Sequence, residues 1–196
     1  QSRGLGDVYK RQEQYDDIVV YNKEECDYLF VDFNSILYKV FYENSENEKD
    51  EMVFINNIIR DVKNMCNNII RPKKMIYFAM DGVAPRAKIV QQRSRRYKAV
   101  QLDDLFKANK RWNPSNHICP GTAFMYRFRD QFLKEIEKKC FLCKDVILND
   151  MSFPGEGEHK ILPIMKKLKV DDPDSSVCVV SPVSYTHLTL PTNGTV

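Results

Sequence analysis

Residues 75–96 read MIYFAMDGVAPRAKIVQQRSRR. The stretch opens with a continuous apolar run, Met75-Ile-Tyr-Phe-Ala-Met80, that suits a strand buried on both faces and stops at Asp81. From Pro85 to Lys110 the chain turns basic and compatible with helix. A short buried strand feeding a helix is the building unit of an α/β fold.

The same unit recurs on either side. Upstream, Tyr28-Leu-Phe-Val31 is a short apolar run ending at Asp32, and Ile36, Leu37, Val40 and Phe41 then follow at helical spacing. Apolar side chains at 55, 58, 59, 62, 65, 66 and 69 predict a one-faced helix over Ile55–Ile69, broken by Arg71-Pro-Lys-Lys74. Between them, Glu43 to Glu51 is polar and acidic and reads as a loop. Downstream, Trp112-Asn-Pro-Ser-Asn116 reads as a turn, and Thr122 is placed to cap a helix carrying Phe124, Met125, Phe128, Phe132, Leu133 and Ile136. Asp145-Val-Ile-Leu148 and Val177-Cys-Val-Val180 are two further strands. Strands alternating with helices predict a mainly parallel sheet flanked by helices.

Ligands of such sheets gather beyond the carboxyl ends of the strands. Three of the four predicted strands lead there to acid: Asp32, Asp81 and the pair Glu156 and Glu158. A single Asp after a strand is commonly a turn residue. Three acidic positions aimed at one rim suggest more, because converging carboxylates repel one another until a hard divalent cation binds their oxygens. The pattern points to a metal-dependent enzyme acting on phosphodiesters. Glu156 and Glu158 stand two apart and would point oppositely on a regular helix or strand; either the neighbouring Gly155 and Gly157 allow an irregular turn that aims both inward, or one of the two does not bind metal directly.

The basic stretch adds a second element. On a helix, Lys88, Gln92, Arg95 and Arg96 fall within an arc of roughly 100°, with Arg93 pointing away. Guanidinium forks and a lysine point charge suit phosphate oxygens. A solvated basic face is the ordinary reading of such a cluster; its start a few residues after Asp81 favours a phosphate grip beside the carboxylates.

Composition sets outer bounds. The chain has 196 residues, 43% of them hydrophobic, room for one domain. No apolar run approaches the roughly 18 residues of a membrane span, and no secretory leader pattern is present, so an intracellular protein with reduced thiols and no membrane partner is expected. Cys140-Phe-Leu-Cys143 is a lone CxxC without a second pair and reads as core packing rather than zinc.

The two ends read differently from the rest. The DNA string AGATGTGTATAAGAGACAG encodes Asp7–Gln12, and its reverse complement encodes Val183–Leu188. Segments 2–12 and 183–192 therefore resemble translated adapters of transposon-based sequencing libraries. The expected organisation is 1–12 artefactual, 13–181 genuine and 182–196 artefactual, with no role for His187. Residues 1–12 hold three of the 30 basic and one of the 27 acidic side chains, so without them the net charge drops from +3 to +1. Net charge then says nothing about a nucleic-acid partner.

Asp81–Arg96 and Pro154–Lys160 (PGEGEHK) resemble the characteristic blocks of the Xrn family of 5′→3′ exoribonucleases. Val31-Asp-Phe-Asn34, Ile118-Cys-Pro-Gly-Thr122 and Phe124-Met125 fit the same pattern, and the resemblance covers nearly all of 13–181. It implies a nuclease fold related to PIN-like and flap-endonuclease proteins, here incomplete. It also implies magnesium-dependent processive degradation of single-stranded RNA with a 5′-monophosphate to mononucleotides, with two ions in the complete enzyme and manganese as an alternative. By position, Asp32, Asp81, Glu156 and Glu158 become the catalytic, metal-binding carboxylates, and Lys88, Gln92, Arg95 and Arg96 the 5′-phosphate pocket. Tyr38 stands where the family has a base-stacking His, and Tyr stacks as well. His159, adjacent to the glutamates, is open to a functional role, with a structural hydrogen-bonding role the expected one.

Other departures suggest a divergent lineage. The family's opening Met-Gly-Val-Pro-type segment is absent, and an Asp-rich block expected after Ser181 is replaced by the adapter-like tail. The resemblance therefore implies a fragment that lacks further metal ligands and strand partners, expected to be inactive and marginally folded alone. The segment from Arg96 to Trp112 is short for the family, and Pro163 is expected to interrupt a helix after the glutamates. Asn47-Glu-Lys-Asp-Glu-Met52 resembles the nuclear branch more than the cytoplasmic one. A catalytically dead RNA 5′-end-binding module and a structure-specific flap-type endonuclease are the alternative functions.

Overall fold

The computed structural model describes residues 25–44, 50–105 and 117–181. Both adapter-like segments, the Trp112–Asn116 turn and most of the acidic loop lie outside the described residues. Strand β1 (Cys26–Asp32) leads into helix α1 (Phe33–Asn44), then α2 (Glu51–Asn64) with a π-helical end (Met65–Ile70), β2 (Pro72–Ala79) and α3 (Arg86–Leu105). Helix α4 (Ala123–Glu137), β3 (Asp145–Asn149), α5 (Gly157–Asp171) and β4 (Val177–Val180) complete the order. The sheet order is β3-β2-β1-β4 and every pair is parallel, as the alternating pattern predicted.

Helices cover both faces. Leu29 and Val31 of β1 and Ile76 and Phe78 of β2 pack in the larger core with α1, α2 and α4. Phe33 is its hub, with its ring centroid 4.9 Å from that of Phe132 and 5.3 Å from those of Phe78 and Phe128. On the opposite face, Phe30, Tyr77 and Ala79 meet Ile161, Ile164, Met165 and Leu168 of α5. The central strands are apolar on successive residues because both faces are covered.

Local chemistry sets the helix ends. Thr122 caps α4, its side chain accepting from the Met125 N–H. Asp50 caps α2 in the same manner, accepting from the Met52 N–H at 2.8 Å, so this helix starts a turn earlier than its apolar spacing indicated. Its far end departs more. Ile69 was expected on the buried face but is 53% exposed, while Ile70 packs on the core. The wider π turn, closed by Arg71 N–H donating to the Cys66 carbonyl at 3.0 Å, shifts the register there.

Pro163 is a correction: α5 runs through it from Gly157 to Asp171. Pro163 and His159, the residue whose carbonyl loses its helical donor, are both exposed. Cys140 and Cys143 are free thiols, and Cys143 packs against the larger core as expected. No helix among the described residues is long and apolar enough to cross a membrane.

Candidate metal centre

Beyond the carboxyl ends of β1 and β2, the chain folds three segments against one another. Asp32 is the last residue of β1, and the Ser35 hydroxyl donates to its carbonyl at 2.7 Å. Asp81 follows β2 by two residues, and its N–H donates to the buried Asn34 Oδ1 at 3.2 Å. The third segment precedes α5. Gly82 N–H donates to the Gly155 carbonyl at 2.8 Å and Gly155 N–H to the Val83 carbonyl at 3.0 Å. That pairing docks the glutamate segment on the Asp81 loop, with Gly155 at φ +105°, where L side chains are strained.

The start of α5 sits on the aspartates. Gly157 N–H donates to Asp81 Oδ1 at 2.7 Å. A Cβ at Gly157 would stand 2.9 Å from Asp32 Oδ1 and 3.2 Å from the Ala79 carbonyl, so only glycine lets the helix approach this closely. The positive end of α5 faces two carboxylates, an arrangement its dipole favours. Glu156 is the extended N-cap and Glu158 lies in the first turn, so the pair straddles a change from extended to helical backbone. Ligand atoms of Glu156, Glu158 and His159 lie within 4.8 Å of one another.

Electrostatics show what this packing costs. Burial, then the charges of Asp81 and Glu158, push the Asp32 carboxyl up to about 7. Burial and the nearby glutamates also raise Asp81, against the lowering effect of the Gly157 N–H. Asp32 Oδ1 is buried without a hydrogen-bond partner. Among the described residues, the ligand atoms close enough to share one ion are those of Glu156, Glu158 and His159; the orphaned Asp32 oxygen and Asp81 adjoin them, and this oxygen-rich set suits a hard divalent cation.

The other predicted site residues are placed as follows. Lys88 Nζ lies 3.6 Å from Glu156 Oε1, joining α3 to the carboxylates. Lys88 and Gln92 are half-buried and Arg93 is exposed. Arg95 and Arg96 belong to α3, but their side chains lie outside the described residues. Tyr38 packs against the larger core and its hydroxyl donates to the Ile118 carbonyl at 3.4 Å. His159 is exposed, with Nδ1 3.8 Å from Glu156 and 3.9 Å from Glu158.

Two residues were missed by sequence reasoning. Asn34 and Lys160 both lie inside quoted motifs, yet only burial marks them out. Lys160 Nζ donates to the carbonyls of Met80 and Asp150, each at 2.7 Å.

Comparison with known proteins matches residues 5–183 to the family described as XRN 5'-3' exonuclease N-terminus. The chain belongs to the Xrn family. Among curated Xrn relatives, the 5'-3' exoribonuclease 2 of Gallus gallus is 33% identical over 193 residues, covering 81% of this chain and 20% of that protein. The 5'-3' exoribonuclease 2 homolog of Caenorhabditis elegans is 32% identical over 190 residues, 81% of this chain and 19% of that protein. The 5'-3' exoribonuclease 2 of Eremothecium gossypii is 31% identical over 189 residues, 79% and 20% respectively. The chain thus spans about a fifth of the length of these Xrn relatives. Its parallel sheet with flanking helices accords with the N-terminal region of that family.

Proposed function

We propose that this chain carries the metal centre and 5′-phosphate grip of a 5′→3′ exoribonuclease. The enzyme degrades single-stranded RNA bearing a 5′-monophosphate processively, releases mononucleotides, and uses magnesium, with manganese as a substitute. The observation that carries this reading is the orphaned Asp32 Oδ1, buried where it feels the charges of Asp81 and Glu158, with Glu156 of the same segment reached by Lys88 of α3.

Asp32, Asp81, Glu156 and Glu158 would hold the cation. A divalent ion bound there supplies positive charge to the phosphate under attack and lowers the pKa of its bound water. Lys88 and Gln92, with Arg95 and Arg96 on the same arc of α3, bind the terminal phosphate. Because Lys88 also reaches Glu156, the grip and the carboxylates adjoin, which favours cleavage close to the 5′ end. A 5′-hydroxyl would leave these cations unpaired, and a cap would not fit a pocket sized for monophosphate. Tyr38, half-buried against the larger core, would stack on the first base. The sequence around Asn47–Met52 supports a nuclear location.

The test is product analysis with a protein containing this chain on RNA bearing a 5′-monophosphate, a 5′-hydroxyl or a cap. Mononucleotides should appear from the monophosphate alone and vanish on chelation of divalent metal. Oligomeric products would indicate a flap-type endonuclease, and binding without cleavage a dead end-binding module.

A further inference from the structure

Among the described residues, the buried polar or charged side chains are Asn34, 5% exposed, and Lys160, 8% exposed. They come from different elements, α1 and α5, and grip the same peptide group. Lys160 Nζ donates to the Met80 carbonyl at 2.7 Å, and Asn34 Oδ1 accepts from the Asp81 N–H at 3.2 Å. The carbonyl and N–H of the Met80–Asp81 peptide belong to one rigid plane, so holding both ends fixes its rotation. That plane is the base from which the Asp81 side chain projects to Gly157 N–H.

We infer that Asn34 and Lys160 are positioning residues, which clamp the Met80–Asp81 peptide and aim the Asp81 carboxylate before any cation arrives. The inference rests on the metal-centre reading above. A general structural tie is the bland alternative for a buried lysine. Burying an ammonium is costly unless it is paired, and a methionine would fill the same space without that penalty. Both carbonyls that Lys160 satisfies, those of Met80 and Asp150, lie just past the ends of β2 and β3 beside the carboxylates. The ammonium is therefore spent where the site is built. Asn34 supports this independently, since it holds the opposite end of the same peptide without a charge.

The test uses the 196-residue chain and two variants, Lys160→Met and Asn34→Ala. Two readouts are taken: Mn2+ affinity by electron paramagnetic resonance, and the Gly157 amide resonance in metal-free protein, which reports the bond to Asp81. Circular dichroism checks folding. In a folded variant, Mn2+ affinity should fall by about tenfold or more, as for other residues that orient metal ligands, and the Gly157 amide proton should move upfield. A folded variant that binds Mn2+ within about twofold of wild type, or loses Mn2+ with the Gly157 signal unmoved, overturns the clamp. If both variants fail to fold, the two residues hold the fold rather than aim Asp81, and the inference also fails. A wild-type chain without saturable Mn2+ binding would instead sink the metal-centre reading.

Discussion

Asp32 carries the clearest chemical consequence at the scale of single residues. Its carboxyl is pushed from the ordinary aspartate value of 3.8 up to about 7 by burial and by Asp81 and Glu158. A raised folded-state value means that folding favours the protonated form. The stability this group contributes is present in full below about pH 4 and is lost as pH rises through about 7. Metal-free protein should therefore melt at lower temperature at pH 8 than at pH 5, and Asp32→Asn should flatten that slope. Glu135, lowered to about 2 by its bonds to Lys138 and Lys63, titrates below this window. An unchanged slope in Asp32→Asn would assign the pH dependence elsewhere. Residues at or just past strand ends, such as Asp32 and Asp81, could be read from sequence because a strand end announces its rim. Asn34 and Lys160 could not, because their role depends on being buried, and nothing in an isolated Asn or Lys reports that.

At the scale of elements, α3 offers a sharper test than its overall charge. Lys88 and Gln92 turn inward while Arg93 faces solvent, so position on the helix, not basicity, should decide binding. Lys88→Met should weaken binding of a 5′-phosphorylated oligoribonucleotide by about tenfold, whereas Arg93→Met should change it by less than about twofold. Fluorescence anisotropy at one fixed salt concentration measures both; equal losses would reduce α3 to a general electrostatic patch. The period of a helix was legible in sequence, as the buried Ile55, Ile58, Ile59 and Val62 show. Its irregularities were not. The π turn that turns Ile69 outward has no residue code, and Pro163 stands at an exposed position inside α5, a property of the assembled fold.

For the whole molecule, alternating apolar runs predicted the parallel α/β architecture, but not which helices cover which face. Leu29 to Val31 and Ile76 to Ala79 are apolar on both sides, so the strands themselves do not distinguish the three-helix face from the one closed by α5. Among the described residues, α5 is the helix packed on that second face. Ile147 on β3 and Val177 and Val179 on β4 remain exposed on either side of α5. The site is nonetheless assembled by the covered centre of the sheet, where β1 and β2 deliver Asp32 and Asp81 to the start of α5.

That assembly makes divalent binding the most direct measure of the account. Calorimetric titration of Mn2+ or Mg2+ into the 196-residue chain should show saturable binding at neutral pH. Asp81→Asn and Glu158→Gln, each folded by circular dichroism, should weaken it by about tenfold or more. Wild-type chain that takes up no divalent ion, or variants that bind as tightly as wild type, would contradict a carboxylate metal centre at the ends of β1 and β2.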